Sequence, residues 1–217
     1  MISNDSLVSK KERAQQIIKA LKKATQNIPE PMSNMIKKEY HNDPFLILIS
    51  CLLSLRSRDT VTYPVSKELF KKAQTPQQFI EMPLDDLEKL IHRIGFYRRK
   101  AQTIKEMSKE IMERFNGIVP TNEEELLSII GIGRKTANLV RSVAFTIPAL
   151  VVDTHVHKLS NVLGLVSTNT PEQTEKELMR ILPRNQWIEY SRLLVQCGQN
   201  MKKCKPYIEP FIKKQKK

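Results

Sequence analysis

Residues 129–140 read IIGIGRKTANLV and predict a tight turn followed by a helix. The chain of 217 residues has six glycines, so two of them this close together, Gly131 and Gly133, indicate unusual backbone requirements. Glycine adopts backbone angles that are closed to other residues, and it lets another backbone come close. We expect a short helix to end near Ile129 and a new helix to begin near Arg134.

The start of this second helix is a candidate anion site. Its first amide N–H groups have no partners inside the helix and carry the positive end of the helix dipole. With glycine nearby, a phosphate could approach closely, and such a contact fixes position on DNA without reading its sequence. A plain connection between two helices with a glycine C-cap explains the same spacing, so both interpretations stay open.

Two ionisable residues follow the turn. Lys135 lies in the first turn of the new helix, where the dipole and any burial favour the neutral, nucleophilic amine; a lysine facing phosphate or solvent is the alternative. Asp153 follows 18 residues later, so one helix and a return of the chain could bring both side chains to one cleft. Asp153 or Thr154 would also cap a helix that ends before Gly164. No paired metal-ligand spacing surrounds the histidines of this segment, so no metal site is predicted.

The rest of the sequence indicates one helix after another. Thr121 and Glu124 have the spacing of a capping box that would open a short helix through Leu127. Glycine, proline and asparagine separate segments of roughly 8–20 residues, the usual length of globular helices. No run of alternating β-branched residues with hairpin turns is visible, so the fold class is predicted to be all-α. Apolar residues recur at helical spacing in two stripes: Ala14, Ile17, Ile18, Leu21 and Ala24, then Ile104, Met107, Ile111 and Phe115.

Composition narrows the partner and the compartment. The formal net charge of +13 favours a polyanionic partner, nucleic acid far more than an acidic membrane surface, and a soluble protein that merely happens to be basic is the alternative. The apolar stretches are too short to span a bilayer, and the N-terminus has no apolar signal segment. The three cysteines, Cys51, Cys197 and Cys204, do not make a disulfide framework, so a cytoplasmic location is expected.

Together these residues resemble the endonuclease III group of DNA glycosylases, which carry a helix–hairpin–helix motif and a following aspartate. The match covers LSIIGIGRKTANLV and, at the family's distance, VVDTH. It extends upstream to DPFLILISCLLSLRSRDTVT, IHRIGFYRRKAQTI and FNGIVP, and spans about residues 43–198. The combination is specific, whereas two nearby glycines alone would not be.

The resemblance implies an all-α protein with two helical domains and a DNA-binding cleft between them. Residues 35–147 would form a six-helix bundle that includes the helix–hairpin–helix, and residues 1–34 with 148–217 would form the second domain. The implied partner is double-stranded DNA containing damaged bases or abasic sites, bound by a monomer. In a bacterium the protein would associate with the nucleoid.

The resemblance also implies a bifunctional DNA glycosylase/AP lyase of base excision repair that removes oxidised pyrimidines from a flipped-out nucleotide. Lys135 would attack the sugar C1′ and expel the base, with Asp153 stabilising developing positive charge. The resulting Schiff base would permit strand nicking by β-elimination. A glycosylase for a mismatched or alkylated base, or a non-catalytic helix–hairpin–helix DNA-binding protein, are the alternatives, whereas an all-α scaffold leaves the hairpin unexplained. The implied DNA-binding residues are Gly131, Gly133, Arg134, Thr136, Arg56, Arg58 and His155.

Two departures from the family pattern concern loops. Ile130 replaces the proline of the usual Leu-Pro-Gly-Val-Gly turn, and we expect isoleucine to be tolerated. Arg56 stands where a glutamine usually enters the gap left by the flipped base. An arginine there could fill the gap, donate to the orphaned base and contact phosphate, or it could be a surface arginine at a helix end. Asp59 is expected to cap the helix that follows.

A third departure concerns the four cysteines, spaced C-x6-C-x2-C-x5-C, that commonly bind an iron–sulfur cluster in the family. This chain has only Cys197 and Cys204 in that region, and Cys197 stands too early. A four-cysteine cluster cannot be built from two, so we predict no cofactor. A lysine-rich tail stands in its place and either replaces a DNA contact or is a disordered, solubilising end. Its lysines are Lys202, Lys203, Lys205, Lys213, Lys214, Lys216 and Lys217.

Overall fold

The computed structural model describes residues 4–212, with side chains from residue 8 onward, so Lys213, Lys214, Lys216 and Lys217 of the tail lie outside the described residues. No β-strand occurs among residues 4–212, and the all-α prediction is confirmed. None of the helices in that range is both long and apolar enough to cross a membrane. In chain order the α-helices are α1 (Asn4–Thr25), α2 (Met32–Glu39), α3 (Pro44–Ser54), α4 (Asp59–Phe70), α5 (Pro76–Glu81), α6 (Leu84–Ile91), α7 (Tyr97–Phe115), α8 (Glu123–Leu127), α9 (Arg134–Val143), α10 (Thr154–Val162), α11 (Pro171–Ile181), α12 (Trp187–Gln199) and α13 (Met201–Ile208).

The chain forms two compact units, which divide it after Pro31 and again after Ile147. Unit 1 contains α1 together with α10–α13, and unit 2 contains α2–α9. Each unit has its own hydrophobic core. The helix–hairpin–helix segment with Lys135 belongs to unit 2, whereas Asp153 belongs to unit 1.

Unit 2 is built around α3. Asp43 caps this helix by accepting hydrogen bonds from the amides of Phe45 and Leu46 at 2.9 and 3.0 Å. Pro44 occupies the first turn, where no N–H is needed. Every residue from Phe45 to Leu53 is buried, because α2, α4, α7 and α9 all pack around this helix. An apolar surface on all sides is what a surrounded helix requires.

Unit 1 joins the N-terminal helix to the C-terminal helices. The apolar stripe predicted on α1 is buried against α12 and α13, which confirms that prediction. Gln196 of α12 is buried, and its Nε2 donates to the carbonyls of Thr25 and Ile28 at 3.4 and 2.5 Å. These bonds fix the chain where α1 ends. In the same core, the hydroxyls of Ser160 and Tyr190 are hydrogen-bonded at 2.9 Å.

Helix α8 ends at Leu127 as predicted, but its capping residue differs. Asn122 is the N-cap, and its side chain accepts from the amides of Glu124 and Glu125 at 2.8 and 3.2 Å. The predicted capping box at Thr121 is therefore wrong. Asparagine is at least as good an N-cap as threonine, and here it lies directly before the first helical residue.

Asp59 does not cap α4, so that prediction is also wrong. Asp59 is the first residue of the helix, and Arg58 occupies the cap position without a side-chain bond. The Oδ2 atom of Asp59 instead accepts from the amide of Met32 at 3.2 Å. This carboxylate therefore joins the start of α4 to the start of α2.

Candidate active site

The turn between α8 and α9 requires a glycine at position 131. Ile129 and Ile132 are buried on either side of it, and the amide of Ile132 donates to the carbonyl of Ile129 at 3.2 Å. Gly131 has a φ of +80°, and a Cβ added there would collide with Cγ2 of Thr103 on α7. Both the left-handed backbone and the close approach of α7 therefore exclude other residues, as predicted.

The second glycine is different. Gly133 has φ −96° and ψ 173°, which are extended angles that any residue adopts, and no heavy atom lies within 4 Å of where its Cβ would be. The expectation that the backbone requires glycine is therefore wrong for Gly133. This residue is the N-cap of α9 and contributes no side chain to the first amides of that helix. The space beside it is open.

Helix α7 also supports the turn through an ion pair. Glu110 Oε2 accepts from the amide of Ile130 at 3.3 Å and lies 3.1 Å from Nη1 of Arg114. Arg114 donates to the carbonyl and the hydroxyl of Ser128 at 3.2 and 2.7 Å. The amide that a proline would lack at position 130 thus has an acceptor on α7. This contact explains how isoleucine is accommodated in the turn.

Lys135 is exposed in the first turn of α9. Burial, which together with the helix dipole was expected to favour the neutral amine, is therefore absent at Lys135. Helix α9, which carries it, packs against the buried helix α3. Burial raises the pKa of the Cys51 thiol on α3 to about 12, and the positive charge of Lys135 partly opposes that shift. The amine thus projects from a helix that is supported by a buried one.

The residues that flank Lys135 differ in exposure. Arg134 is exposed, and its guanidinium lies 3.8 Å from Glu123 Oε1 at the start of α8. Arg141 donates to the other oxygen of that carboxylate at 2.6 Å, so Glu123 joins α8 to α9. Thr136 is only 5% exposed. Its side chain belongs to the core of unit 2, and a DNA contact by Thr136 could come only from its backbone.

Asp153 caps α10 in unit 1, which confirms the prediction of its structural role. Its Oδ1 accepts from the amides of His155 and Val156, both at 2.9 Å. The cap uses one carboxylate oxygen and leaves Oδ2 for other contacts. His155 is half-buried, and its ring occupies the space that a side chain at position 198 of α12 would need. Gly198 is the residue found there.

The segment between α3 and α4 carries two exposed arginines, Arg56 and Arg58. Arg56 has a φ of 55°, in the left-handed region that is uncommon for residues other than glycine. Phe96, directly before α7, has a φ of 59° and is 63% exposed. The guanidinium carbon of Arg56 lies 5.7 Å from the centroid of the Phe96 ring, within cation–π range. The surface therefore presents a paired cation and aromatic ring.

Sequence reasoning did not select Phe96 as a site residue. Its one signal is a large apolar residue placed between Gly95 and the basic first turn of α7, outside the buried stripe of that helix. Arg56 and Phe96 are both held in a backbone conformation that is disfavoured for residues with side chains, and they lie within cation–π range of each other.

The chain is similar to known DNA repair proteins. Residues 49–184 match the model of the HhH-GPD superfamily base excision DNA repair proteins. Endonuclease III of Thermotoga maritima is 48% identical over 164 residues, which cover 76% of each chain. Endonuclease III of Bacillus subtilis is 40% identical over 156 residues, or 71% of each chain. The chain belongs to the endonuclease III family.

Solved structures of this family agree with the fold. A trapped endonuclease III–DNA covalent intermediate matches with a TM-score of 0.79 and 34% identity, covering 88% of this chain and 86% of the other. A thermostable thymine-DNA glycosylase, 20% identical over 86% of each chain with a TM-score of 0.74, shares the fold. As a family member, the protein is a base excision repair enzyme, a DNA glycosylase and AP lyase. The family, fold and enzyme class expected from the sequence are confirmed.

Proposed function

We propose that the protein is a bifunctional glycosylase for oxidised pyrimidines in which Lys135 is the nucleophile and Asp153 assists. The observation that carries the proposal is the exposed Lys135 amine in the first turn of α9, two residues after the open Gly133. An amine is the group that can form a covalent Schiff base with a sugar. A non-catalytic helix–hairpin–helix protein could use a lysine on phosphate, but it leaves unexplained why Lys135 and Asp153 both stand at the glycosylase spacing.

The reaction follows from the chemistry of an amine at C1′. The Lys135 nitrogen forms a bond to C1′ as the bond from C1′ to the damaged base breaks, and the base leaves with the electron pair. The Asp153 carboxylate stabilises the positive charge that develops on the sugar and takes part in proton transfer. The amine nitrogen of the adduct loses a proton, and its lone pair then expels the ring oxygen O4′, which takes up a proton, so that the sugar ring opens and C1′ and the nitrogen form a protonated Schiff base. β-Elimination then breaks the strand on the 3′ side, and water releases the enzyme.

Double-stranded DNA containing a damaged base or an abasic site is the proposed partner. The N-terminus of α9 offers backbone amides without a capping side chain, and the open space at Gly133 lets a phosphate approach them. The solved relatives include endonuclease III–DNA complexes. The net charge of +13 supports binding to the phosphate backbone.

Arg56 and Phe96 are the proposed contacts to the gap left by the flipped nucleotide. An exposed ring can stack on bases or wedge between them, and a guanidinium can donate to an unpaired base. Arg58 and Arg134 are exposed cations on the same unit that could contact phosphates. His155 would contact DNA from unit 1.

We propose that the protein holds no iron–sulfur cluster. The donor set does not fit one, because the C-terminal segment has two cysteines where four are needed. Cys197 and Cys204 are both fully buried in the apolar core of unit 1, and the Cys204 thiol lies 4.0 Å from the carbonyl of Ala24. Burial raises the pKa of both thiols, which disfavours the thiolate that binds iron. Protein produced with iron and sulfide should contain no stoichiometric iron; finding it would reject this proposal.

Cytoplasmic localisation on the DNA follows from the proposed function rather than from any targeting segment. A protein of this net charge that acts on chromosomal DNA would be associated with the nucleoid in a bacterium.

Borohydride trapping tests the proposed function. Wild-type protein is incubated with a thymine glycol duplex and with an abasic duplex, and compared with Lys135→Ala and with Lys71→Ala as an exposed-lysine control. Covalent adducts on both duplexes with wild type and Lys71→Ala, but not with Lys135→Ala, are expected. Adducts on the abasic duplex alone would reject the lesion class, and no adduct from folded wild type would reject the chemistry.

A further inference from the structure

Among the described residues, Lys100 is the one lysine that is buried, with only 6% of its surface exposed. It lies in the first turns of α7 and faces the interior of unit 2. A buried ammonium is costly unless hydrogen bonds replace its lost water. Burial lowers the pKa of Lys100 to about 8, in keeping with such a cost. A buried lysine at this position therefore requires hydrogen-bond partners that offset the cost of its burial.

The partners are two backbone carbonyls at the end of α3. Lys100 Nζ donates to the carbonyl of Leu53 at 2.9 Å and to that of Leu55 at 2.6 Å. The last carbonyls of a helix have no partners inside it and carry the negative end of its dipole. Helix α3 has no basic residue of its own in its last turn. Lys100 supplies that cation from another helix.

The carbonyls that Lys100 holds directly precede Arg56. Leu55 leaves the helix with ψ 120°, and Arg56 then adopts its left-handed conformation. Such a conformation is disfavoured for a residue with a side chain, so the surrounding structure must impose it. Gly95 faces the carbonyl of Arg56 from the other side, at 3.7 Å from where a Cβ would be. The chain before and around Arg56 is thus fixed from α7 and from the turn that precedes it.

We propose that Lys100 is a positioning residue for DNA recognition: its two hydrogen bonds hold the loop that presents Arg56 to the gap left by the flipped nucleotide. This inference rests on the proposed function, because it assigns to Lys100 a role in how that function recognises DNA. It also means that DNA recognition requires the hydrogen bonds of Lys100 in addition to the Arg56 side chain. The donated hydrogen bonds, and not the volume of the side chain, are the essential property.

The chain provides a matched control on the same helix. Lys105 of α7 makes an equivalent pair of contacts, since its Nζ donates to the carbonyls of Ile80 and Met82 at 2.6 and 2.5 Å. Those carbonyls lie at the end of α5, next to a segment with no proposed DNA contact. Lys105→Met therefore removes the same kind of helix-end support without touching the Arg56 loop.

The test uses full-length protein and a duplex with a tetrahydrofuran abasic analogue opposite 2-aminopurine. Insertion of a side chain opposite 2-aminopurine changes its fluorescence without any cleavage. The proteins compared are wild type, Arg56→Ala, Lys100→Met, the double variant and Lys105→Met. Single-turnover excision from a lesion duplex is measured alongside.

If Lys100 acts through Arg56, Lys100→Met and Arg56→Ala each lose the fluorescence change and lower the excision rate about tenfold, corresponding to about 1.4 kcal/mol. The double variant then falls no further than either single variant, because the two residues share one function. Lys105→Met behaves as wild type. A normal signal in Lys100→Met, or effects of Lys100 and Arg56 that multiply, would overturn the proposal.

Two further measurements keep the outcome decisive. Lys100→Gln retains a hydrogen-bond donor without the charge, so it should keep part of the fluorescence change, and it can be measured even if Lys100→Met does not fold. If both variants fold and lose the fluorescence change equally, the hydrogen bonds do not hold the Arg56 loop. Borohydride trapping by wild type distinguishes a failure of the proposed function from a failure of the role proposed for Lys100. Its failure rejects the proposed function, whereas trapping together with a normal Lys100→Met signal rejects only the role of Lys100.

Discussion

The imidazole of His155 lies on the backbone of Gly198. A Cβ built on Gly198 would overlap the Cβ, Cγ and Nδ1 atoms of His155. This contact brings α10 and α12 together within unit 1 and leaves no room for any side chain at position 198. It also restricts the orientation of a histidine in the first turn of the helix capped by Asp153.

Gly198→Ala should destabilise the protein, although glycine to alanine inside a helix normally stabilises it by up to about 1 kcal/mol. The overlap with His155 should cost about 1–3 kcal/mol, as other overpacked sites do. Urea unfolding measures the effect. In the double variant Gly198→Ala/His155→Ala the penalty should shrink, because the ring is gone, but not vanish, because the Cβ of residue 155 still lies 2.7 Å from the added methyl group. An undiminished penalty in the double variant would contradict the contact.

Gly131→Ala and Gly133→Ala should separate folding from DNA binding. Alanine at 131 requires a left-handed φ and collides with Thr103, so the free energy of unfolding should fall by about 1–3 kcal/mol. Alanine at 133 meets open space, so stability should change by about 1 kcal/mol or less. Affinity for an abasic-analogue duplex should nevertheless fall at least about fivefold for Gly133→Ala, because a methyl group blocks the phosphate. Fluorescence anisotropy on the folded variant provides the measurement, and unchanged affinity would remove the phosphate contact from the proposal.

Glu110 and Ile130 should be energetically coupled. Glu110→Ala leaves the Ile130 amide without its acceptor and should cost about 1 kcal/mol. In an Ile130→Pro background there is no such amide, so the same substitution should cost about 0.5 kcal/mol less. The pair of Glu110 with Arg114 is lost in both backgrounds and cancels from the cycle. Four unfolding curves measure the coupling, and strictly additive costs would show that the amide contact contributes nothing.

Lys100 should make stability depend on pH in the alkaline range. Its folded-state pKa of about 8 lies below its ordinary value of 10.5. Between these values the unfolded chain binds a proton that the folded chain has lost, so the contribution of Lys100 to the unfolding free energy rises with pH. Relative to Lys100→Met, wild type should gain up to about 3 kcal/mol between pH 8 and pH 10.5. Below pH 8 both states are protonated and the difference should be flat. Lys109→Met, an exposed change on the same helix, serves as the control; parallel wild-type and Lys100→Met curves would refute the linkage.

Features of the fold that depend on neighbouring residues were predictable from the sequence. The start of α9 after Gly133 and the capping of α10 by Asp153 follow from rules that act within a few residues. The cap of α8 was missed by one position because Thr121 and Asn122 are both acceptable caps, and packing selects between them.

Features that depend on distant residues were not predictable. The contacts of Lys100 with the end of α3 join residues 45 and 47 positions apart, and the pairing of Arg56 with Phe96 is equally remote in the chain. The requirement for glycine at 131 but not at 133 depends on Thr103, which belongs to another helix. Nothing in the local sequence distinguishes the two glycines.

Helix α7 supports two parts of unit 2 that are proposed to meet DNA: Phe96 precedes it, Lys100 holds the Arg56 loop, and Thr103 and Glu110 contact the hairpin. One continuous helix of 19 residues, about 28 Å long, therefore sets the spacing between the gap-filling loop and the phosphate-binding turn. Because this helix fixes that spacing, unit 2 has little freedom to adapt to the duplex. The bending and unstacking needed to expose a lesion must come from the DNA, so lesions that soften the double helix should be the ones it finds most readily.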